Sequence, residues 1–172
     1  MACTSDITSG RTKNCKDSSG GSRELYLFNY VEDPFTIVAG EATGINPLLT
    51  VVYKYEIEGD GNTLVENFIA ERQNGTAVNT QTATIVLKKQ DATTSDQLDK
   101  LAKGYTQAVI KDRNGVYHAI GIEDGLDATI DATTGGARTD LNGYTLTLTS
   151  QTGDFSPKLD SATVTAFLAL VA

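Results

Sequence analysis

The chain has no tryptophan, one histidine, one methionine and three prolines, and its two cysteines both fall within the first fifteen residues. Each shortage removes a class of function. With His118 alone there is no H-E-x-x-H zinc pattern, and the sequence also lacks a G-x-S-x-G nucleophile elbow and a G-x-x-x-x-G-K-[ST] phosphate loop. Cys3 and Cys15 have no histidine partners nearby and cannot complete a tetrahedral metal shell. They read as free thiols of a reducing compartment, or as a disulfide if the chain meets an oxidising medium. No run reaches the roughly 20 apolar residues that span a bilayer, and the C-terminal ATVTAFLALVA falls well short. The N-terminal MACTSDITSGRTKNCKDSSGG has no apolar core of a secretory signal, so the expectation is a chain that folds in the cytoplasm and does not enter a membrane.

Basic residues are also scarce. Fourteen Lys and Arg stand against 22 Asp and Glu, for a formal net charge of −8, and no segment concentrates Lys and Arg with aromatics. The footprint of a nucleic-acid reader is missing, and an acidic surface repels a passing polyanion. What is present is β chemistry. The apolar share of 40% is supplemented by Thr, Gly, Asp and Asn, and 172 residues suffice for one domain with a core of its own.

Residues 1–22 lack periodicity and read as a flexible N-terminal arm, with a single β-rich domain over 23–172. In that domain ELYLFNY (24–30) is a strand apolar on both faces, and FTIVA (35–39) resumes after Pro34. GEATGINP (40–47) reads as a loop. TVVYKYEIE (50–58) is a strand with Val51, Tyr53, Tyr55 and Ile57 toward the core. Residues 63–72 fit a strand, with a helix ending at Gly75 as the alternative, and TAVNTQTATIVLK (76–88) is a threonine-rich strand. One short helix is predicted over 95–103, capped by Thr94 with Gln97 as its reciprocal partner and closed by a left-handed Gly104. A hairpin over 105–122 turns at Asp112–Gly115, strands follow at 126–132 and 144–149, residues 150–161 are a polar connection, and 162–171 is the last strand. The fold expected is mainly β, an antiparallel sandwich or barrel with one flanking helix.

Candidate chemistry is thin. His118 shares a strand face with Val116 and Ile120, and no motif supplies a nucleophile or carboxylate partner, so it reads as structural. Glu58, Asp60 and Asn62, and again Glu123, Asp124, Asp127 and Asp131, offer oxygen ligands at short spacing. The EF-hand pattern is not met, and turn-forming carboxylates explain the same residues. Asn74-Gly-Thr matches a glycosylation triplet, which has meaning only in a secreted chain. No catalytic, cofactor or metal residue is therefore assigned. The strands themselves carry more information: 162–171 has neither Pro nor Lys to blunt an edge, and it pairs either within the subunit or with a neighbour.

The order of arm, strands, one capped helix, hairpin and late strands resembles the tail tube subunits of long-tailed bacteriophages and the tubes of contractile injection machines. The segments DRNGVY (112–117) with Gly121 and Gly125, and TGG (134–136) with DLNGYTLT (140–147), are similar to virion proteins of phages infecting Bacteroidota. The likeness covers roughly residues 23–172 and rests on turn chemistry. It implies a structural virion protein, assembled in the host cytoplasm, that joins with itself into hexameric rings. The rings stack beside other virion proteins around a lumen through which DNA passes without specific binding. The arm and long loops would bridge rings, and no reacting residue is carried over. A capsid decoration or neck protein is the alternative within the virion, and a carbohydrate- or receptor-binding β-module the alternative outside it.

Overall fold

Along ELYLF, Leu25 and Leu27 point to one side and Tyr26 and Phe28 to the other, and these two sets of side chains enter two different cores. The computed structural model describes residues 7–172. In chain order the elements are β1 (Ser22–Asn29), β2 (Phe35–Val38), β3 (Glu41–Ile45), β4 (Tyr53–Glu56), β5 (Thr63–Glu71) and β6 (Thr76–Lys88). Then come α1 (Ala92–Lys103), β7 (Thr106–Asp112), β8 (Tyr117–Ile120), β9 (Asp127–Thr133), β10 (Gly143–Thr152), β11 (Lys158–Leu159) and α2 (Ser161–Leu168).

Two sheets form a β-sandwich. The larger has the order β2-β3-β11-β8-β7-β1-β4 and the smaller β5-β6-β10-β9. Pairing between the named strands is antiparallel except for β3 with β11. Leu25, Leu27, Ile85, Ile110, Leu146 and Leu148 fill the space between the sheets, and Leu98 and Leu101 of α1 close it at one side. On the far face of the larger sheet, Tyr26, Phe28, Phe35, Val52, Val109 and Phe167 form the second core beneath α2. The strand reading of 63–72 holds against its helical alternative, and 76–88 is a strand over its full predicted length.

Several expectations are corrected. Residues 162–171 are not a strand, since most of them belong to α2. The Asp160 carboxylate accepts from the Thr163 N–H at 2.7 Å and caps the helix, and the buried ring of Phe167 anchors it. The domain therefore carries two helices. Helix α1 starts earlier than predicted because Asp91, not Thr94, is its cap: Thr94 donates its N–H to Asp91 Oδ1 at 2.7 Å and its hydroxyl to Oδ2 at 2.6 Å. Gly104 is extended (φ −100°), since the chain passes directly into β7. Its N–H still closes the helix on the Lys100 carbonyl at 2.9 Å.

Residues 40–47, expected to loop, contain β3, which is held between β2 and β11. Long-range pairing overrides the local glycine signal there, and Gly40 serves the turn at φ +81°. The strand over 50–58 shrinks to β4 at the sheet edge. Tyr55 and Ile57 pack as expected, but Val51 and Tyr53 are 41% and 49% exposed while Val52 is fully buried against the C-terminal segment. The polar connection over 150–161 is shortened from both ends, since β10 runs on to Thr152 and β11 forms after Pro157. Ser22 is buried and begins β1, one residue before the expected boundary.

Candidate functional site

The smaller sheet leaves its outer face and both edges open. Counting across it in register, Thr63, Thr84, Thr147 and Thr129 form one row through all four strands. On the same face stand Asp127 and Asp131 of β9, Glu71 of β5 and Lys88 of β6. The inward positions alternate with these and are apolar near the core (Ala83, Ile85, Leu146, Leu148). On this same outer face the edge strand β5 exposes Val65 and Ile69, each 57%, while on its other side Phe68 stacks on Phe155 of the β10–β11 connection with ring centroids 5.3 Å apart. Neither β5 nor β9 contains the Pro or Lys with which edges are commonly blunted.

Beyond Ala83 the inward face turns polar. Glu66 Oε1 accepts from the Ser156 N–H at 2.7 Å, Gln81 Nε2 at 3.3 Å and Asn79 Nδ2 at 3.5 Å. Gln81 Oε1 accepts from the Gly121 N–H at 3.0 Å, and Asn79 Nδ2 donates to the Asp154 carbonyl at 3.0 Å. This seam ties the β10–β11 connection and the turn after β8 to the end of the sandwich. Asn79 Oδ1, Ser150 Oγ and Ser156 Oγ are buried in it without a protein partner. The signal was present in TAVNTQTA, where Asn79 and Gln81 fall in phase with Ala83 on the inward face; strand periodicity marks the positions but not what a polar side chain there will meet.

His118 does meet a carboxylate, which sequence reasoning missed: its Nε2 lies 3.6 Å from Asp112 Oδ2. That carboxylate is shared with the hairpin turn, because Asp112 Oδ1 accepts the Asn114 and Val116 N–H groups at 2.8 Å. Burial raises the Asp112 pKa, but the hydrogen bonds from Val116, Asn114 and His118 together hold it below the ordinary value. The pair opens on a cleft of about 460 Å³ between β5 and the root of the arm. On the opposite face of the larger sheet, Glu24 accepts from the Tyr26 hydroxyl at 2.6 Å and from Lys111 Nζ at 3.2 Å, with Lys54 Nζ at 3.4 Å. Burial, followed by the Glu24 carboxylate, pushes the Tyr26 phenol far up.

The acidic loops are built into turns and ion pairs. Glu58 pairs with Lys88 at 3.3 Å and Asp60 with Arg113 at 3.1 Å, while buried Asn62 accepts the Val86 N–H at 2.8 Å. Glu123 accepts the Gly153 N–H at 3.0 Å, and Asp127 and Asp131 lie on β9. Among the described residues no group of three or more His, Cys, Asp or Glu could hold a metal ion. Asn74 sits in the exposed β5–β6 turn, Cys15 is exposed on the arm, and Cys3 lies outside the described residues. Among the described residues no helix is long and apolar enough to cross a membrane. No protein-family model, curated protein or solved structure matches this chain.

Proposed function

We propose that this chain is a structural subunit that assembles by joining copies of itself edge to edge, most specifically a tail tube subunit of a tailed bacteriophage. The observation that carries the reading is the pair of open edges on the four-stranded sheet. An even number of antiparallel strands makes β5 and β9 run in opposite directions. Repeating one rotation then sets β5 of each copy antiparallel to β9 of the next, and a heterologous contact of this kind closes into a ring or continues as a filament. Burying Val65 and Ile69 at that seam would add about 1.5–3 kcal/mol per side chain fully covered.

The open face then lines a lumen. A surface of threonine hydroxyls with Asp127, Asp131 and Glu71 against Lys88, bordered along the β5 margin by Val65, Ile69 and Val78, offers a phosphate backbone little to displace its counterions for, and suits a conduit through which DNA slides. In this reading the subunit belongs to the virion, its partners are further copies and neighbouring virion proteins, and the ring number implied by the resemblance is six.

Negative-stain microscopy and light scattering of the purified chain test this. Rings or tubes of uniform diameter are expected. Replacing Val65 and Ile69 together by Lys should leave a folded particle that no longer polymerises. A wild-type chain that stays monomeric at high concentration, or a double variant that assembles as well as wild type, overturns the reading. Discrete trimers would favour a decoration or neck protein instead.

A further inference from the structure

The N-terminal arm and the free edge of β5 share one cleft. Ser19–Ser22 form one wall and Thr63–Glu66 the other, with His118 and Asp112 beneath. The chain enters it with a strand's alternation. Ser22 donates its N–H to the Asn62 carbonyl at 2.9 Å, on the β5 side. On the other side, Gly21 O accepts the Arg113 N–H at 3.1 Å, and Asn114 clasps both the N–H and the carbonyl of Ser19 at 2.8 and 2.9 Å. At the root, Ser22 thus addresses the β5 side, while Gly21 and Ser19 address the β7–β8 turn. Residues 7–18 lie exposed and outside helix and strand.

We propose that this arm closes over the β5 edge as an added antiparallel strand, a strap that covers the edge in the free subunit and is displaced when copies join. The inference rests on the reading of β5 as the assembly edge. Continuing the register set by Ser22 and Asn62, Ser18 falls opposite Glu66, Lys16 opposite Phe68, Cys15 opposite Ile69 and Lys13 opposite Glu71. Lys13 then faces a carboxylate directly and Lys16 reaches Glu66 diagonally, both favourable cross-strand pairs. Arg11, Lys13 and Lys16 against Asp17 make the segment basic beside an otherwise acidic body. Gly21 supplies the bend, since it sits at φ +97°, where glycine is favoured.

A strap so tethered competes for the edge at an effective concentration on the order of millimolar, which an isolated encounter between two subunits does not match. A growing ring, offering several contacts at once, does. The device therefore holds single subunits apart and makes assembly depend on a nucleus.

Cys15 provides the probe. In full-length chain carrying Cys3→Ser and Ile69→Cys, mild oxidation with glutathione disulfide should produce a cross-linked monomer as the main product, about tenfold above a control carrying Thr129→Cys on β9. The oxidised protein should assemble with a longer lag than the same variant kept reduced. Reversing charge with Lys13→Glu and Lys16→Glu should lower the cross-link yield and shorten the lag of the full chain. Cross-links formed only between chains, a yield no higher than the control, or a charge-reversed chain that assembles more slowly overturn the strap; the last is the result expected of an arm that bridges rings. An efficient intramolecular cross-link, together with a wild-type chain retaining Ile69 that does not assemble, would keep the closing of the arm and remove the assembly reading.

Discussion

The ring of Phe167 meets that of Tyr26 edge-on, with centroids 5.5 Å apart and planes at 74°. Phe28 and Phe35 complete the cluster around it, at 6.2 and 6.1 Å. Removing a fully buried ring at this junction should cost about 3–5 kcal/mol, by lost transfer energy and the cavity left behind. Phe167→Ala should therefore show a much lower midpoint in urea, whereas Leu168→Ala, one residue on and 39% exposed, should change it little. Equal effects would mean that α2 is not held by its aromatic face.

Gly143 is packed against the Leu87 carbonyl where β10 begins its pairing with β6, so closely that a Cβ cannot be accommodated without moving backbone. Gly143→Ala should lower stability by about 1–3 kcal/mol, as overpacking does. Gly136→Ala is the control, because its Cβ would meet only Asp140 Oδ2, at 3.7 Å. Matching melting temperatures for the two variants would count against this packing.

Glu66 organises three N–H donors from two segments, so Glu66→Ala should release the β10–β11 connection. The loss should be about 1.5–3 kcal/mol, the range for hydrogen bonds to a charged acceptor. Amide exchange at Asp154–Ser156 should accelerate more than exchange in the core strands. Uniform acceleration along the chain would show that Glu66 acts on global stability alone.

Five carboxylates, Glu24, Asp91, Asp112, Asp140 and Asp160, are held below their ordinary values and tie stability to pH. Asp160 is lowered first by its hydrogen bond with Thr163 and Asp91 by that with Thr94, while in Asp112 hydrogen bonding outweighs the opposing effect of burial. A folded pKa below the unfolded one means that the stabilisation is complete above the unfolded value, about 4 for aspartate, and disappears as pH falls through the folded value. The melting temperature should thus hold between neutrality and mild acid and drop below that range. The drop should be shallower in Asp112→Asn combined with Asp160→Asn. A melting temperature that rises on acidification would contradict the assignment.

Much of the architecture was legible in the chain. Alternation in ELYLF, TATIVL and YTLTLT assigned strands and faces, because a pleated strand sends successive side chains to opposite sides and each of these has somewhere apolar to go. The Asp-Arg-Asn-Gly hairpin was legible for the same local reason, its glycine standing at φ +84°. Of the candidate site, the sequence reading placed the unblunted edge at 162–171, which became α2 instead. That β5 would be an edge could not be read, since strand order depends on partners distant in sequence.

What the amino-acid sequence determined by itself is the alternation of apolar and polar side chains and the turns that interrupt it, both consequences of backbone geometry within a few residues. The tertiary structure decided the rest. ATVTAFLALVA became a helix because Asp160 caps it and Phe167 finds a ring of aromatic partners; GEATGINP became a strand because β2 and β11 were there to pair with it. His118 was brought to Asp112, and the arm to the mouth of the β5 cleft, by contacts whose free energy exists only once separate parts of the chain have come together.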